Sequence, residues 1–292
     1  MRKTSRDQRA TAGSLVRWVG FFLAIACLST PAMVSASQEP PPKPAYSLGV
    51  FPYLPALTID RLYGPLAESF SLALDRLIKL RTKSTFENFA EAIEDQSYDI
   101  LFVHPFFFVD AVDHHGYLPL ARLDQPLNAV LVAAADSDAF ALDDLVGETI
   151  GLPPTLAAVS KLIKSALIDE GLRPGLDVGI RHFRNKASCL QAADTGAVAA
   201  CGVPAFILSE VDAFAHRPLR IIFEAQPVSH FAFAVHSRVS EEEREQLKKL
   251  VLALGDGTVE GFGSDKRFVP IADEDYANIR AKTRHLKTLA QR

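Results

Sequence analysis

The stretch SYDILFVHPFFFVDAVDHHG, residues 97–116, places a strand and a helix in direct succession. Its residues Ile100 to His104 form an apolar run that predicts a buried strand. Pro105 follows, and because helices accept proline at their first position, it predicts the start of a helix. His104 therefore stands at the carboxyl end of a strand. Ligands of open α/β sheets bind at that end of the strands, so His104 is a candidate site residue.

Two interpretations of this segment stay open at the level of sequence. His104 either donates a hydrogen bond to an anion or binds a metal, or it only ends the strand and contacts water. Phe106 and Phe107 either line a cleft or pack in the core beneath it, and we expect the core because large apolar side chains are usually buried.

Strands and helices alternate on both sides of this segment, which predicts an α/β fold. One series begins at Tyr46, and a second follows the apolar run 129–135. A further apolar run, 231–235, precedes a helix predicted from residue 241 and capped by Ser240. Further helices are predicted over 86–94 and 156–169, and strands over 149–152 and 219–224. We expect two lobes, each a mostly parallel sheet flanked by helices, joined by two crossover strands with a ligand cleft between the lobes. The predicted boundaries are residues 45–134 plus 235–292 for the first lobe and residues 135–234 for the second.

Residues 1–36 have the pattern of a secretory signal peptide. Basic residues open the chain, the apolar stretch Trp18 to Leu28 follows, and Val34-Ser35-Ala36 offers a small-residue cleavage site. The apolar stretch is too short to span a bilayer. An uncleaved anchor and a lipoprotein anchored at Cys27 are the alternatives. We therefore expect a periplasmic protein.

The whole chain of 292 residues carries a formal net charge of −4. Removal of residues 1–36 takes away more basic than acidic residues, which leaves the remainder more acidic. An acidic exported protein is a poor candidate for binding nucleic acid or anionic lipid, so we expect no nucleic-acid partner. The sequence holds no nucleophile elbow, phosphate-binding loop or dinucleotide fingerprint, so we expect neither an enzyme nor a cofactor.

Several segments, taken in order, give the chain a resemblance to a known family. They are LGVFPY (48–53), LYGPLAESF (62–70), YDILFVHPFFFVDA (98–111), DSDAFALDDLVGETIGL (136–152), LQAADTGAVAACGV (190–203) and GFGSDKRFVPIADEDYANIR (261–280). In their order and spacing they resemble the periplasmic substrate-binding proteins of phosphonate and phosphite ABC transporters.

The resemblance implies a fold and a role. The fold is the two-lobed periplasmic-binding-protein fold, and the role is binding without catalysis. We expect a monomer that captures a small oxyanion, of the phosphonate, phosphite or phosphate kind, and delivers it to an ABC permease. The alternative is a periplasmic sensing protein that reports ligand occupancy to a membrane receptor.

The resemblance also implies ligand-binding positions, and this sequence departs from the family pattern at them. The family's Ser-Thr-Ser-Gly run at a helix start holds phosphonate oxygens, and it matches Thr155-Leu156-Ala157-Ala158, where one hydroxyl remains. A His-Glu pair matches Lys186-Ala187 and an aspartate matches Ala199, so the carboxylates for a ligand ammonium are missing. A family tyrosine matches Phe86. The implied ligand is a plain anion held by helix amides, with Lys186 adding charge.

The predicted ligand-binding residues are Tyr53, Phe86, Val103, His104, Thr155, Leu156, Ala157 and Lys186.

Cys189 and Cys201 remain once the signal peptide is removed. The helix and the strand predicted to carry them run back to back, so the two sulfurs can lie close together near the cleft end of the second lobe. Three interpretations stay open: a disulfide, two unlinked core thiols, or a dithiol site for a soft metalloid with His104 across the cleft.

Overall fold

The computed structural model describes residues 43–255 and 266–290. The predicted signal peptide and Cys27 lie outside the described residues. The strands are β1 (Tyr46–Val50), β2 (Ile78–Arg81), β3 (Ile100–Val103), β4 (Tyr117–Leu123), β5 (Pro126–Leu127), β6 (Ala129–Ala134), β7 (Thr149–Leu152), β8 (Gly179–His182), β9 (Ala200–Pro204), β10 (Leu219–Glu224), β11 (Val228–Ser229), β12 (Ala232–His236) and β13 (Phe268–Val269). The α-helices are α1 (Ala56–Leu74), α2 (Phe86–Glu94), α3 (Pro105–His114), α4 (Ala158–Asp169), α5 (Lys186–Asp194), α6 (Glu241–Ala253) and α7 (Ala277–Ala290). Short 3-10 helices cover Asp143–Leu145, Ala205–Phe214 and Asp273–Tyr276.

The first sheet has six strands in the order β13-β4-β12-β3-β1-β2. β1 pairs in parallel with β2 and β3, whereas β12 runs antiparallel to β3 and β4. Every residue of β3 is buried, because the strand has neighbours on both sides and helices pack against the sheet. This position explains the unbroken apolar run of the sequence at 100–103.

The second sheet has five strands in the order β10-β6-β9-β7-β8. β7 pairs in parallel with β8 and β9, and β6 runs antiparallel to β9 and β10. Helices α4 and α5 pack against this sheet. β7 leads directly to the loop before α4, so its carboxyl end lies at the start of that helix.

The chain passes between the sheets at a pair of two-residue strands, β5 and β11, which form an antiparallel ribbon. β6 and β12 follow the two crossings and run antiparallel to their neighbours, so both sheets are mixed. The sequence predicted mostly parallel sheets, and half of the pairings in the second sheet are antiparallel. β6 belongs to the second sheet, although our boundary placed residues 129–134 in the first lobe. The residue boundaries of the two lobes stay a prediction.

Side-chain caps fix where several helices begin. Thr85 accepts a hydrogen bond from the Asn88 amide at the start of α2. Ser240 does the same for the Glu243 amide at the start of α6, as the sequence predicted. Such caps satisfy amides that have no partner inside the helix. The N-terminus of α4 is different, because no side chain of residues 43–255 and 266–290 caps it.

One large hydrophobic cluster joins buried residues of both sheets, including Leu48, Val50 and Phe102 with Ile150 and Leu152. A smaller cluster lies between α5 and the second sheet. Within the described residues, no helix combines the length and the apolar character that crossing a membrane requires.

Candidate functional site

His104 occupies the junction between β3 and α3 and caps the helix. Its backbone is extended, and its Nδ1 accepts a hydrogen bond of 3.3 Å from the Phe107 amide. The Phe108 amide donates to the His104 carbonyl, which closes the first turn. The His-Pro sequence thus ends the strand and starts the helix in the same two residues.

The His104 ring is enclosed by aromatic side chains. It stacks on Phe107 with ring centroids 4.1 Å apart, and on Phe86 at 6.1 Å. Phe51 meets it edge to face at 5.3 Å. His104 has no exposed surface at all, so the ring sits in a dry, largely apolar setting.

The hydrogen bond to Nδ1 determines what the other nitrogen can do. Burial lowers the pKa of His104 well below its usual value, and the Lys161 charge lowers it further, so the ring is neutral. A neutral imidazole whose Nδ1 accepts a hydrogen bond carries its proton on Nε2. That Nε2 is buried and has no hydrogen-bond partner in the described part of the chain. His104 therefore holds an unused donor in the interior.

The start of α4 faces this donor. The Leu156 backbone carbonyl, just ahead of the helix, raises the pKa of His104 because it favours the protonated ring, so the two lie close together although no hydrogen bond joins them. Ala157 is the N-cap of α4, and its methyl group cannot accept from the first amides of the helix. A helix start of this kind carries free N–H groups and a partial positive charge.

Thr155 is the one position of the family's Ser-Thr-Ser-Gly run at which this sequence keeps a hydroxyl. That hydroxyl has a partner within the protein. Its Oγ1 lies 3.1 Å from Nε2 of His182, and Nδ1 of His182 contacts the Pro153 carbonyl. Because a carbonyl only accepts, His182 Nδ1 donates to it and Nε2 accepts from the Thr155 hydroxyl. Thr155 is exposed and its proton is already engaged. The helix was predicted to begin at Leu156, and it begins at Ala158.

Lys161 reaches across from α4 to the first sheet's helix α3. Its Nζ lies 5.1 Å from the centre of the Phe106 ring, and that ring lies 6.4 Å from the His104 ring. Burial lowers the pKa of Lys161, while the Asp110 carboxylate acts in the opposite direction. No local sequence pattern marks Lys161, since only the folded arrangement of α3 and α4 brings it near His104.

Aromatic residues extend the site from the end of β1 to the second crossing. Phe51 stacks on Tyr53 at 4.7 Å, and Phe231 meets Phe51 edge to face at 5.0 Å. The Tyr53 hydroxyl pairs with the Tyr63 hydroxyl at 2.7 Å, so it already has a partner. Phe206, from the second half of the chain, is 54% exposed and lies 6.5 Å from Phe231.

His230 repeats the hydrogen-bonding pattern of His104. Its Nδ1 accepts from the Phe231 amide at 2.7 Å, and burial lowers its pKa to about 4. The ring is therefore neutral at pH 7 and carries its proton on Nε2. Its ring lies 5.9 Å from the Phe206 ring and 4.3 Å from the Phe231 ring. No local sequence pattern marks His230, which lies between β11 and the apolar run 231–235.

The structure thus brings together some of the predicted residues and separates others. His104, Phe86, Leu156 and Ala157 lie at one place, and Val103 lies beneath it with its side chain fully buried. Lys186 at the start of α5 forms an ion pair with Glu210 and lies over the Phe214 ring. Its charge is therefore matched locally. Whether these residues contact a ligand stays a prediction.

Cys189 and Cys201 form a disulfide with 5.7 Å between their Cα atoms. Both are buried in the smaller hydrophobic cluster, and a Cβ atom at Gly151 would lie only 2.8 Å from the Cys189 sulfur. A disulfide leaves no thiol for a metalloid. Among the described residues, no group of three or more His, Cys, Asp or Glu side chains could hold a metal ion.

Comparison with known proteins places this arrangement in a family. The sequence profile described as "ABC transporter, phosphonate, periplasmic substrate-binding protein" matches residues 48–276. The chain belongs to this family. The role of a phosphonate-type binding protein is to bind a substrate for a transporter, which is not an enzymatic role, so the predictions of family and of a non-enzymatic role are confirmed.

Solved structures of phosphonate-type and related binding proteins share the fold at low sequence identity. A binding protein component of an ABC phosphonate transporter from Pseudomonas aeruginosa is 13% identical, with a TM-score of 0.69 over 82% of this chain and 85% of that chain. PhnD1 from Prochlorococcus marinus, solved in complex with methylphosphonate, is 15% identical, with a TM-score of 0.70 over 83% and 98%. A Xanthomonas citri protein solved with ATP is 12% identical, with a TM-score of 0.73 over 84% and 98%. The predicted two-lobed α/β fold class is confirmed.

Proposed function

We propose that this protein is exported, captures a small oxyanion of the phosphonate, phosphite or phosphate kind between its two halves, and delivers it to an ABC permease. Family membership supports the coupling to a transporter. The pattern of residues 1–36 supports export through a signal peptide. The hydrogen-bond donors around His104 support a negatively charged ligand.

The proposed ligand class rests on one observation. The buried Nε2 of His104 is a donor without an acceptor among the described residues, and it lies beside the start of α4, whose amides no described side chain caps. Unpaired buried donors cost free energy, and oxygen atoms of an anion are the groups that would satisfy them together. A cation would meet the partial positive charge of the helix start there, so it would be repelled.

The relative solved with methylphosphonate supports a phosphonate as the first candidate. Leu156 and Ala157 replace two hydroxyl residues of the family pattern, and each lost hydrogen bond to a charged oxygen weakens binding by roughly 1–3 kcal/mol. The Thr155 hydroxyl donates to His182 rather than toward a ligand. We therefore expect this protein to bind through backbone amides and His104 more than through hydroxyl groups.

A ligand screen tests the proposal. Methylphosphonate, phosphite and inorganic phosphate are added to the purified protein, with choline as a cationic control, and the melting temperature is recorded. A ligand that binds only the folded state raises that temperature by mass action. We expect a rise with at least one oxyanion and none with choline, with calorimetry giving the affinity. A rise with choline alone, or with none of the oxyanions, would overturn the proposed ligand class.

A further inference from the structure

Lys161 is positioned to act on whatever occupies the start of α4. It is the fourth residue of that helix, and long side chains on helices lean toward the helix N-terminus. Its Nζ lies over Phe106, which in turn lies beside His104. The side chain therefore extends from the second sheet's helix into the space between α4 and α3.

Lys161 forms no ion pair with the described residues. No carboxylate of residues 43–255 and 266–290 lies within 4.0 Å of its Nζ, which lies over the Phe106 ring instead. Asp110 is the carboxylate whose field it feels most, and Asp110 pairs with His115 at 3.3 Å. Lys287 on α7 adds a repulsive charge. Keeping a half-buried ammonium group in these surroundings costs free energy unless an anion binds beside it.

Lys186 presents the opposite case. It was the cation that the sequence assigned to the ligand, but Glu210 neutralises it and the Phe214 ring lies against it. An already paired lysine gains less from a ligand anion than an unpaired one, since binding must first compete with the existing partner. Of the two lysines, Lys161 is the one whose charge is still available.

Building on the proposed function, we propose that Lys161 supplies the positive charge that neutralises the bound oxyanion, together with the His104 Nε2–H and the first amides of α4. Lys161 lies outside the family pattern that matches Thr155-Leu156-Ala157-Ala158. Lys161 takes over charge recognition from the hydroxyl groups that this sequence has lost, and it does so from the second turn of the same helix.

The substitution Lys161→Met tests this assignment, because methionine keeps much of the stem that covers Phe106 and removes the charge. Methylphosphonate and inorganic phosphate serve as the probes in calorimetry. We expect the affinity to fall about 10- to 100-fold, the range for a hydrogen bond to a charged group. Lys161→Arg, which keeps the charge, retains affinity within a few-fold. Lys249→Met on the exposed face of α6 removes the same charge away from the site and leaves affinity unchanged.

The melting temperature without ligand separates this role from a purely structural one. If Lys161 serves the ligand, removing an unpaired half-buried charge leaves the ligand-free protein as stable or raises its melting temperature. If Lys161 serves only to hold α4 on Phe106, Lys161→Met lowers that temperature and leaves the affinity of the folded protein unchanged, and the assignment is overturned. Wild-type protein that binds neither probe contradicts the proposed oxyanion function itself, and with it this inference, whereas wild-type binding retained in Lys161→Met contradicts the inference alone.

Discussion

His104 uses its two ring nitrogens for two separate purposes. Nδ1 caps α3 by accepting from the Phe107 amide, while Nε2–H faces the start of α4 and has no partner in the part of the chain that the structure describes. The two roles can be separated by substitution, because an asparagine can keep the cap and a phenylalanine can keep the ring packing. Neither can supply the Nε2–H donor at the same place.

We therefore expect both His104→Asn and His104→Phe to lower oxyanion affinity by about tenfold or more. Their stabilities should differ: His104→Asn keeps the cap, whereas His104→Phe loses it at a cost of about 1 kcal/mol and gains by removing an unpaired donor. Calorimetry gives the affinity and urea unfolding the stability. If His104→Phe binds the oxyanion as tightly as wild type, Nε2 does not contact the ligand.

His230 makes stability depend on pH. Its pKa is about 4 in the folded protein and about 6.5 in an unfolded chain, so the unfolded chain binds the proton first as the pH falls. The free energy of unfolding is highest above pH 6.5 and is lost progressively toward pH 4, by about 3 kcal/mol from this residue. The lowered pKa of His104 acts in the same direction.

Urea unfolding at several pH values between 7 and 4 checks this expectation. In His230→Gln the free energy of unfolding should fall less steeply as the pH is lowered, since glutamine does not titrate. His114→Gln, at an exposed histidine of α3, is the matched control and should leave the slope as it is in wild type. Equal slopes in wild type and His230→Gln would mean that His230 is not buried as a neutral ring.

At the scale of single residues, the sequence predicted His104 because it stands at the end of a strand, and it predicted Phe86 because that residue matches a family tyrosine. It could not identify Lys161 or His230, since their importance arises from α3, α4 and the second crossing lying together. The sequence also predicted that Lys186 binds the ligand. Its ion-pair partner Glu210 is 24 positions away, and no local pattern links the two residues. Charge pairing over such separations is a property of the folded chain.

At the scale of elements, strongly patterned segments were predicted well. Helix α2 and strands β7 and β10 have the predicted ends, and the Ser240 cap was found in advance. Helix α4 starts two residues later than predicted, after the Pro153-Pro154 turn. Helix α7 was missed, because its sequence ANIRAKTRHLKTLA is polar and its packing against α3 and α4 cannot be read locally.

The disulfide between α5 and β9 should stabilise the second sheet's half. It closes a loop with a sequence separation of 12, for which chain entropy gives roughly 3 kcal/mol. The double substitution Cys189→Ala and Cys201→Ala should lower the free energy of unfolding by about that amount in guanidinium titrations.

Reductant provides the control for the disulfide. It should destabilise the wild type slowly, because both sulfurs are buried, and it should have no effect on the double variant. Equal stability of wild type and double variant under oxidising conditions would contradict the expected contribution of the cross-link.

At the scale of the whole molecule, the apolar runs at 129–135 and 231–235 predicted buried strands near the crossings. They could not tell which sheet each strand would join, because an all-apolar strand fits either. The observed strand orders put β6 in the second sheet and β12 in the first, with the β5–β11 ribbon between them. The register of that ribbon depends on two residues per strand, too few for a sequence signal.

Helix α7 contacts helices that belong to different sheets. Arg280 forms a bidentate ion pair with Asp113 on α3, in which both hydrogen bonds are 2.8 Å long. Lys282 bonds the buried Ser165 hydroxyl at 3.2 Å and Asp169 at 3.3 Å, both on α4. Since α4 carries the candidate anion site at its other end, α7 links the two halves on the side of the molecule where these helices pack together.

We expect the two contacts of α7 to be separable by hydrogen exchange. Lys282→Met should speed amide exchange in α7 and α4 by up to about fivefold, the effect of an ion pair worth up to 1 kcal/mol, and leave α3 unchanged. Arg280→Met should speed exchange in α7 and α3 and leave α4 unchanged. Mass spectrometry of peptides covering 105–114, 158–169 and 277–290 measures all three helices. Identical exchange of α4 in wild type and Lys282→Met would show that this lysine does not hold the halves together.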